Sequence, residues 1–300
     1  MQTLKIVRHP QWVEVTLARP AVRNAMSFEM VDELRQTFRS LRDDHDTQAV
    51  VLRGAGGHFC AGGDVKDMRE ILASPSPSSD TQASDNDGGS PVEHNPLAQA
   101  NRTFGEMLSE IEGAPQVVIV VLEGAVMGGG FGLACVADIA LALPSARFGL
   151  PEVTLGLTPA QIAPFVVARV GSMRARQLAL TGARFDAEAA RSYGLVHACF
   201  ANETELNQHL SQTLVNISNC APEARRATKE LILSAGNPDR AQLLDHAALG
   251  FAHAVREGEG MAGMMAFITK QSPAWQQAWG NIAYGQPPED EPGTKEGGGS

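Results

Sequence analysis

Two stretches of bare backbone and one carboxylate are the residues here whose types and spacing could do chemistry. Gly128-Gly129-Gly130-Phe131-Gly132-Leu133-Ala134 is followed by Phe148-Gly149-Leu150-Pro151-Glu152. Consecutive glycines let a bound molecule approach the main chain and leave N–H groups free to face it. A helix is expected to start at these glycines, which puts those N–H groups at its positive end. Upstream, the apolar run Ala49-Val50-Val51-Leu52-Arg53-Gly54 reads as a strand, followed by His58-Phe59-Cys60-Ala61-Gly62-Gly63-Asp64. Asp64 is placed to cap a helix starting near Val65. Two bare segments could give two N–H donors to one carbonyl oxygen, and Glu152 could move a proton beside it. The plainer alternatives are tight helix–strand packing for the glycines and a surface carboxylate for Glu152.

The elements that must position these residues follow from periodicity. Leu4 to Val7 and Trp12 to Leu17 alternate as a strand pair around a turn at His9-Pro10. Ser27 is a natural cap for a helix to Arg42, with an apolar stripe of Met30, Val31, Leu34, Phe38 and Leu41. Strands at 49–53, 116–122 and 139–143 alternate with helices at 65–73, 98–113 and 130–137, a strand–helix repeat that predicts an α/β fold. Residues 74–96 are Ser-, Pro-, Asp- and Gly-rich and read as a mobile insertion, either a lid or a passive surface loop. From Asp186 the spacing is helical: 186–193, 203–217, 222–235, 239–256 and 261–270. Residues 277–300 read as a disordered tail. We therefore divide the chain into a core over 1–200, a helical region over 201–276 and the tail.

Composition narrows the function. The chain has 300 residues, 43% of them apolar and 19% charged, as in ordinary globular proteins. A net charge of −10 argues against a nucleic-acid partner, which needs a basic surface. No apolar run approaches the roughly 20 residues of a membrane span, and no basic-then-apolar leader opens the sequence, so the cytoplasm is the expected compartment. Cys60, Cys135, Cys199 and Cys220 lack metal-ligand spacing and are expected to be buried thiols, with no metal. The glycines do not form GxGxxG, and neither a P-loop nor a GxSxG elbow is present.

These motifs, in this order, resemble the crotonase (enoyl-CoA hydratase/isomerase) superfamily. The resemblance runs from about Leu4 to Trp275. It is carried by Arg19-Pro20 with Arg23-Asn24-Ala25, by Phe59 to Asp64, by Gly124 to Asp138 and by Ala146 to Glu152. Leu180-Thr181-Gly182, Ala189-Ala190, Gly194-Leu195-Val196, Ala266-Phe267 and Pro273-Ala274-Trp275 extend it. It implies a spiral of ββα turns with a C-terminal helical oligomerisation region, as trimers or dimers of trimers. The sequence leaves Leu243, Leu244, Ala247, Leu249 and Phe251 equally consistent with an intramolecular core. It also implies an acyl-CoA thioester substrate and no separate cofactor, CoA belonging to the substrate. By resemblance the oxyanion donors are Ala61 and Gly129, and Glu152 transfers the proton. Arg23, Ala25, Ala61, Gly62, Gly63, Asp64, Val65, Lys66, Gly128, Gly129, Gly132 and Pro151 are the expected binding residues, and Lys270 is a further cation for phosphate.

One departure matters. Many hydratases of the superfamily carry a second glutamate where this chain has Gly132. One proton-transfer partner is then missing or comes from elsewhere, and His58 and Gln161 are candidates by proximity in sequence. A single glutamate suits an isomerase. Against that, Pro159-Ala160-Gln161-Ile162-Ala163-Pro164-Phe165-Val166-Val167 resembles bacterial hydratases of branched glutaconyl-CoA esters, and Gly132 could make room for a branched acyl group. A non-catalytic CoA-binding member is the third reading.

Overall fold

A computed structural model describes residues 1–67, 69, 92, 94–236, 239–277, 279, 282 and 284. Its larger sheet has six strands in the order β1 (Leu4–Arg8), β2 (Trp12–Leu17), β3 (Ala49–Gly54), β4 (Val117–Leu122), β6 (Ile139–Ala142) and β9 (Ala198–Cys199). Only the β1–β2 pair is antiparallel. A smaller sheet holds β5 (Ala125–Met127), β7 (Arg147–Gly149) and β8 (Arg184–Asp186), with β7 in the middle.

Both faces of the larger sheet are covered, which is why residues 49–52 of β3 and all of β4 are apolar runs. Side chains alternate between the faces. Val50, Leu52, Val118, Val120 and Leu122 join the main core with Leu34, Phe38, Leu108 and Phe131. Val51, Ile119 and Val121 join a second core with Trp12, Leu206, Leu210 and Leu214.

The first helix, Phe28–Arg42, starts where Ser27 Oγ accepts the Met30 N–H at 3.2 Å, and it buries the expected stripe. The helix Pro96–Glu112 is capped by Asn95, whose side chain accepts the N–H groups of Leu97 and Ala98. The polar run of 74–96 therefore ends as a helix cap, and residues 74–91 and 93 lie outside the described residues. Each spiral turn then runs strand, short strand, helix: β4, β5 and Gly129–Val136 make the clearest one.

Several expectations need correction. The 19-residue helix Ala163–Thr181 was not legible, because Pro164 and a non-helical Gly171 (φ 76°, ψ 156°) break its pattern. The region from Asp186 is not wholly helical, since β9 pairs with β6 through only Ala198 and Cys199. The start of the tail is docked: Trp279 and Tyr284 are buried in the second core, and the Tyr284 hydroxyl donates to Glu14. The rest of the tail lies outside the described residues. Cys60 and Cys135 are buried, but Cys199 is half-buried and Cys220 exposed.

The helices Arg240–Arg256 and Glu259–Thr269 do not build an intramolecular core from the expected residues. Leu249 is 73% exposed, Phe251 74% and Phe267 86%. No helix among the described residues is long and apolar enough to cross a membrane.

Candidate active site

Three corners of the spiral are brought side by side by backbone pairing. Cys60 N–H donates to Ala125 O at 2.8 Å, Met127 N–H to Cys60 O at 2.9 Å, and Gly128 N–H to Gly149 O at 3.1 Å. The segments that follow, at Ala61, Gly128 and Pro151, therefore meet at one edge of the smaller sheet. At the centre is Gly128, with φ 50° and ψ −113°. A Cβ there would lie 3.0 Å from Glu152 Oε1 and 3.5 Å from Gly62 Cα. Only glycine gives both the left-handed φ and that approach.

Gly129 is the first residue of the helix Gly129–Val136. Its N–H has no acceptor among the described residues, as expected for the first turn of a helix. Gly130 N–H instead points at the Cys60 sulfur. Burial pushes that thiol up to about 11, so Cys60 is a packing residue rather than a nucleophile.

The other donor segment differs from expectation. Ala61 N–H is engaged, donating to Arg23 O at 3.0 Å. Met26 bridges to Gly63 through Met26 N–H to Gly62 O at 2.8 Å and Asp64 N–H to Met26 O at 2.9 Å. The N–H of Gly63, between those two bonds, has no acceptor among the described residues, and Gly63 is exposed. The free donor thus lies two residues after Ala61. The Met26–Gly63 pairing that decides this joins loops 37 residues apart, and nothing in the local sequence signals it.

Glu152 opens a short 3-10 turn, Glu152–Leu155, after Pro151. Its Oε2 is buried without a hydrogen-bond partner among the described residues. Burial raises its pKa above the usual carboxylate range, and a bond from its own backbone N–H opposes this only in part. A half-buried carboxylate with a bare oxygen and a raised pKa is suited to taking and returning a proton.

The helix that starts at Gly129 packs against apolar side chains. A Cβ on Gly132 would lie 3.2 Å from Leu108 Cδ1 and 3.4 Å from Ile162 Cγ1 and Cγ2. The space expected to be open for substrate at Gly132 is filled by the chain's own side chains. Phe104, one helical turn before Leu108, lies over Gly129, with Cε2 and Cζ 3.4 Å from a Cβ built there, and Met26 Sδ is at 3.6 Å. Sequence reading missed this packing, although Phe104 and Leu108 stand at the i, i+4 spacing of one helix face.

Neither candidate for a second proton-transfer group fits that role. His58 Nδ1 accepts the Ala125 N–H at 3.0 Å, so that ring nitrogen is engaged in bracing the strand. Gln161 lies on the bare backbone of Gly105, where a Cβ would meet its Oε1 at 2.1 Å, and an amide does not titrate.

Of the expected binding residues, Asp64 is committed elsewhere. Its Oδ2 pairs with Arg19 at 2.8 Å and its Oδ1 accepts the Lys66 N–H at 2.9 Å. Burial raises the Asp64 pKa, but these bonds outweigh it and hold the group below the usual range. Arg23, Val65 and Lys66 are exposed beside the Gly62–Gly63 segment, Ala25 is half-buried, and Pro151 precedes Glu152. Lys270 ends the helix Glu259–Thr269 in a left-handed conformation. Among the described residues no group of acidic, His or Cys side chains could hold a metal ion.

Residues 13–247 match the family model for enoyl-CoA hydratase/isomerase. The chain is 31% identical to enoyl-CoA hydratase domain-containing protein 2, mitochondrial, of Mus musculus, over 87% of this chain and 82% of that protein. It is 30% identical to the peroxisomal Delta(3,5)-Delta(2,4)-dienoyl-CoA isomerase of Arabidopsis thaliana, over 82% and 87%. Among solved structures, an enoyl-CoA hydratase/isomerase from Marinobacter aquaeolei is 46% identical with a TM-score of 0.85, covering 92% of this chain and all of that one. AtuE of Pseudomonas aeruginosa is 48% identical with a TM-score of 0.83 over the same shares.

Proposed function

Given that this chain belongs to the enoyl-CoA hydratase/isomerase family and is an enzyme of it, we propose that it adds water to a branched 2-enoyl-CoA. 3-Methylglutaconyl-CoA and isohexenylglutaconyl-CoA, which add a distal carboxylate, are the substrates we favour. In this reading the thioester oxygen lies between the N–H groups of Gly63 and Gly129. The exposed cations Arg23 and Lys66 face the CoA phosphates.

The observation that carries the reading is Glu152, whose Oε1 lies close to the Gly128 backbone and whose Oε2 is buried without a hydrogen-bond partner among the described residues. One carboxylate suffices if it works twice. Glu152 takes a proton from water as the hydroxyl adds to the β-carbon. Charge moves to the thioester oxygen as an enolate, which the two N–H groups stabilise, each by about 3–4 kcal/mol. The same carboxyl group then gives its proton to the α-carbon, so the sum is one water added and no net proton. Leu108 and Ile162 stand where a second carboxylate would have to fit, and an apolar wall suits a branched hydrocarbon chain.

The dienoyl-CoA isomerase likeness supports a second reading, in which Glu152 carries a proton between two carbons of the acyl chain. Incubation with 3-methylglutaconyl-CoA and with a 3-enoyl-CoA separates the two. Hydration removes conjugated thioester absorbance, and isomerisation creates it.

We also propose that the protein works as a homotrimer or a dimer of trimers. Leu249, Phe251, Phe267 and Ile268 lie exposed on the two consecutive helices Arg240–Arg256 and Glu259–Thr269. Water-exposed apolar area of that kind on a folded chain supports burial against another copy.

A further inference from the structure

We propose that the ion pair of Arg19 with Asp64, braced by the buried side chain of Asn24, is the positioning device that aims the Gly63 N–H at the thioester oxygen. The inference rests on the reading that Gly63 and Gly129 hold that oxygen.

Arg19 lies just past the end of β2, 45 residues before Asp64, yet its guanidinium grips both sides of the Met26–Gly63 bridge. One terminal nitrogen donates to Ala25 O, the other to Asp64 Oδ2 at 2.8 Å. The bridge itself fixes Gly62 through its carbonyl and Asp64 through its N–H. Ala61 is fixed by its bond to Arg23 O. The residues on either side of Gly63 are thus tied down, and its own N–H is left to face outward.

Asn24 supplies the other half of the clamp. It is wholly buried. Its Oδ1 accepts the Arg19 N–H at 2.9 Å, and its Nδ2 donates to Ala55 O at 2.9 Å and His58 O at 2.7 Å. One amide therefore joins the Arg19 segment to both sides of the loop that leads to Cys60. Arg23 and Asn24 also adopt consecutive left-handed conformations, with φ of 51° and 55°. Residues other than glycine adopt that region infrequently, asparagine the most readily of them, and here the neighbouring hydrogen bonds hold both residues in it. Here it turns the Arg23 carbonyl to Ala61 and the Met26 backbone to Gly62 and Asp64.

A donor helps an oxyanion only from the right place, since misplacement by about an ångström can cost about a hundredfold in rate. Arg19 and Asp64 touch one another and the loop, so their loss should act through the position of Gly63 rather than through substrate affinity.

The test uses the full-length protein and variants Arg19→Gln, Arg19→Lys and Asp64→Asn, with thermal melting to confirm folding. The probe is a 2-enoyl-CoA extended by a para-dimethylaminophenyl group, whose absorption moves to the red when its thioester carbonyl is polarised. We expect Arg19→Gln and Asp64→Asn to lower kcat about 10–100-fold, to leave KM within about threefold, and to shrink the red shift. Arg19→Lys, which can keep one of the two contacts, should recover part of both. Should Arg19→Gln fail to fold, Arg19→Lys and Asp64→Asn carry the comparison. A full red shift with wild-type kcat in folded Asp64→Asn or Arg19→Gln protein overturns the positioning role, as does a rise in KM at constant kcat. A wild-type protein that produces no red shift overturns the oxyanion reading, and the positioning role with it. A wild type that shifts the probe beside variants that shift it equally overturns the positioning role alone.

Discussion

In the proposed hydration Glu152 has to be ionised to take a proton from water and protonated to return it, so its environment would set the working pH. Burial raises its pKa. The rate should therefore fall as pH drops through a value above the ordinary carboxylate range. Glu152→Gln removes the group with little change of shape and should cost about 10²–10⁴-fold in kcat, read as initial rates with CoA binding measured separately. The same variant makes a stability prediction whose sign follows from linkage. A carboxylate with a folded pKa above its unfolded value penalises folding at high pH, and the penalty disappears as pH falls towards the unfolded value near 4.5. Glu152→Gln should thus melt above wild type at pH ~8, with the gap closing towards pH ~4.5; a gap that widens on acidification would show that the site stabilises the ionised form. Gly132 is the second decisive residue. A glutamate there meets Leu108 and Ile162 rather than open space. Gly132→Glu should lower stability by about 2–5 kcal/mol in denaturant titration, and Leu108→Ala should recover part of that loss in the double variant, a coupling expected of direct neighbours.

At the scale of elements, the proposed catalysis depends on where helices and loops end. Gly129 is a first-turn residue whose N–H takes no part in the helix ladder. Proline is tolerated at that position in helices generally, so Gly129→Pro should keep the far-UV spectrum while losing about 10²–10³-fold in kcat. Normal turnover by the folded variant would remove Gly129 as a donor. The sequence made this much legible because the chemistry is local. Three adjacent glycines, a helix start and a carboxylate twenty residues after Gly132 are all visible in a linear string. The Ser27 cap and the Met30–Leu41 stripe were legible for the same reason, since a helix repeats its own pattern. What the string hides is pairing between distant segments. Ala61 and Gly63 are both small residues in a bare stretch, and only the bridge to Met26 decides which N–H is free. Likewise the contact of Leu108 and Ile162 with Gly132 brings together three elements, and the helix carrying Val166 and Leu178 is disguised by Pro164 and the Gly171 break.

At the scale of the whole molecule, the buried faces of the larger sheet contrast with the exposed apolar residues of the helices Arg240–Arg256 and Glu259–Thr269. Both faces of the larger sheet are buried, and the C-terminal residues Trp279 and Tyr284 complete the second core. Leu249, Phe251, Phe267 and Ile268 instead face outward. If copies of the chain cover that face, a charge at its most exposed residue should release them. Phe267→Asp is expected to shift the sedimentation coefficient from that of an assembly to that of a monomer, and an unchanged coefficient would place the interface elsewhere. The account as a whole turns on one carboxylate and two backbone donors adding water to a branched acyl-CoA. The most direct test follows the conjugated absorbance of 3-methylglutaconyl-CoA with the wild-type protein in heavy-oxygen water, beside Glu152→Gln. The account predicts loss of absorbance, one labelled hydroxyl on the β-carbon of the product, and almost no change with the variant. Unchanged absorbance with this substrate, together with a gain from a 3-enoyl-CoA, would contradict it.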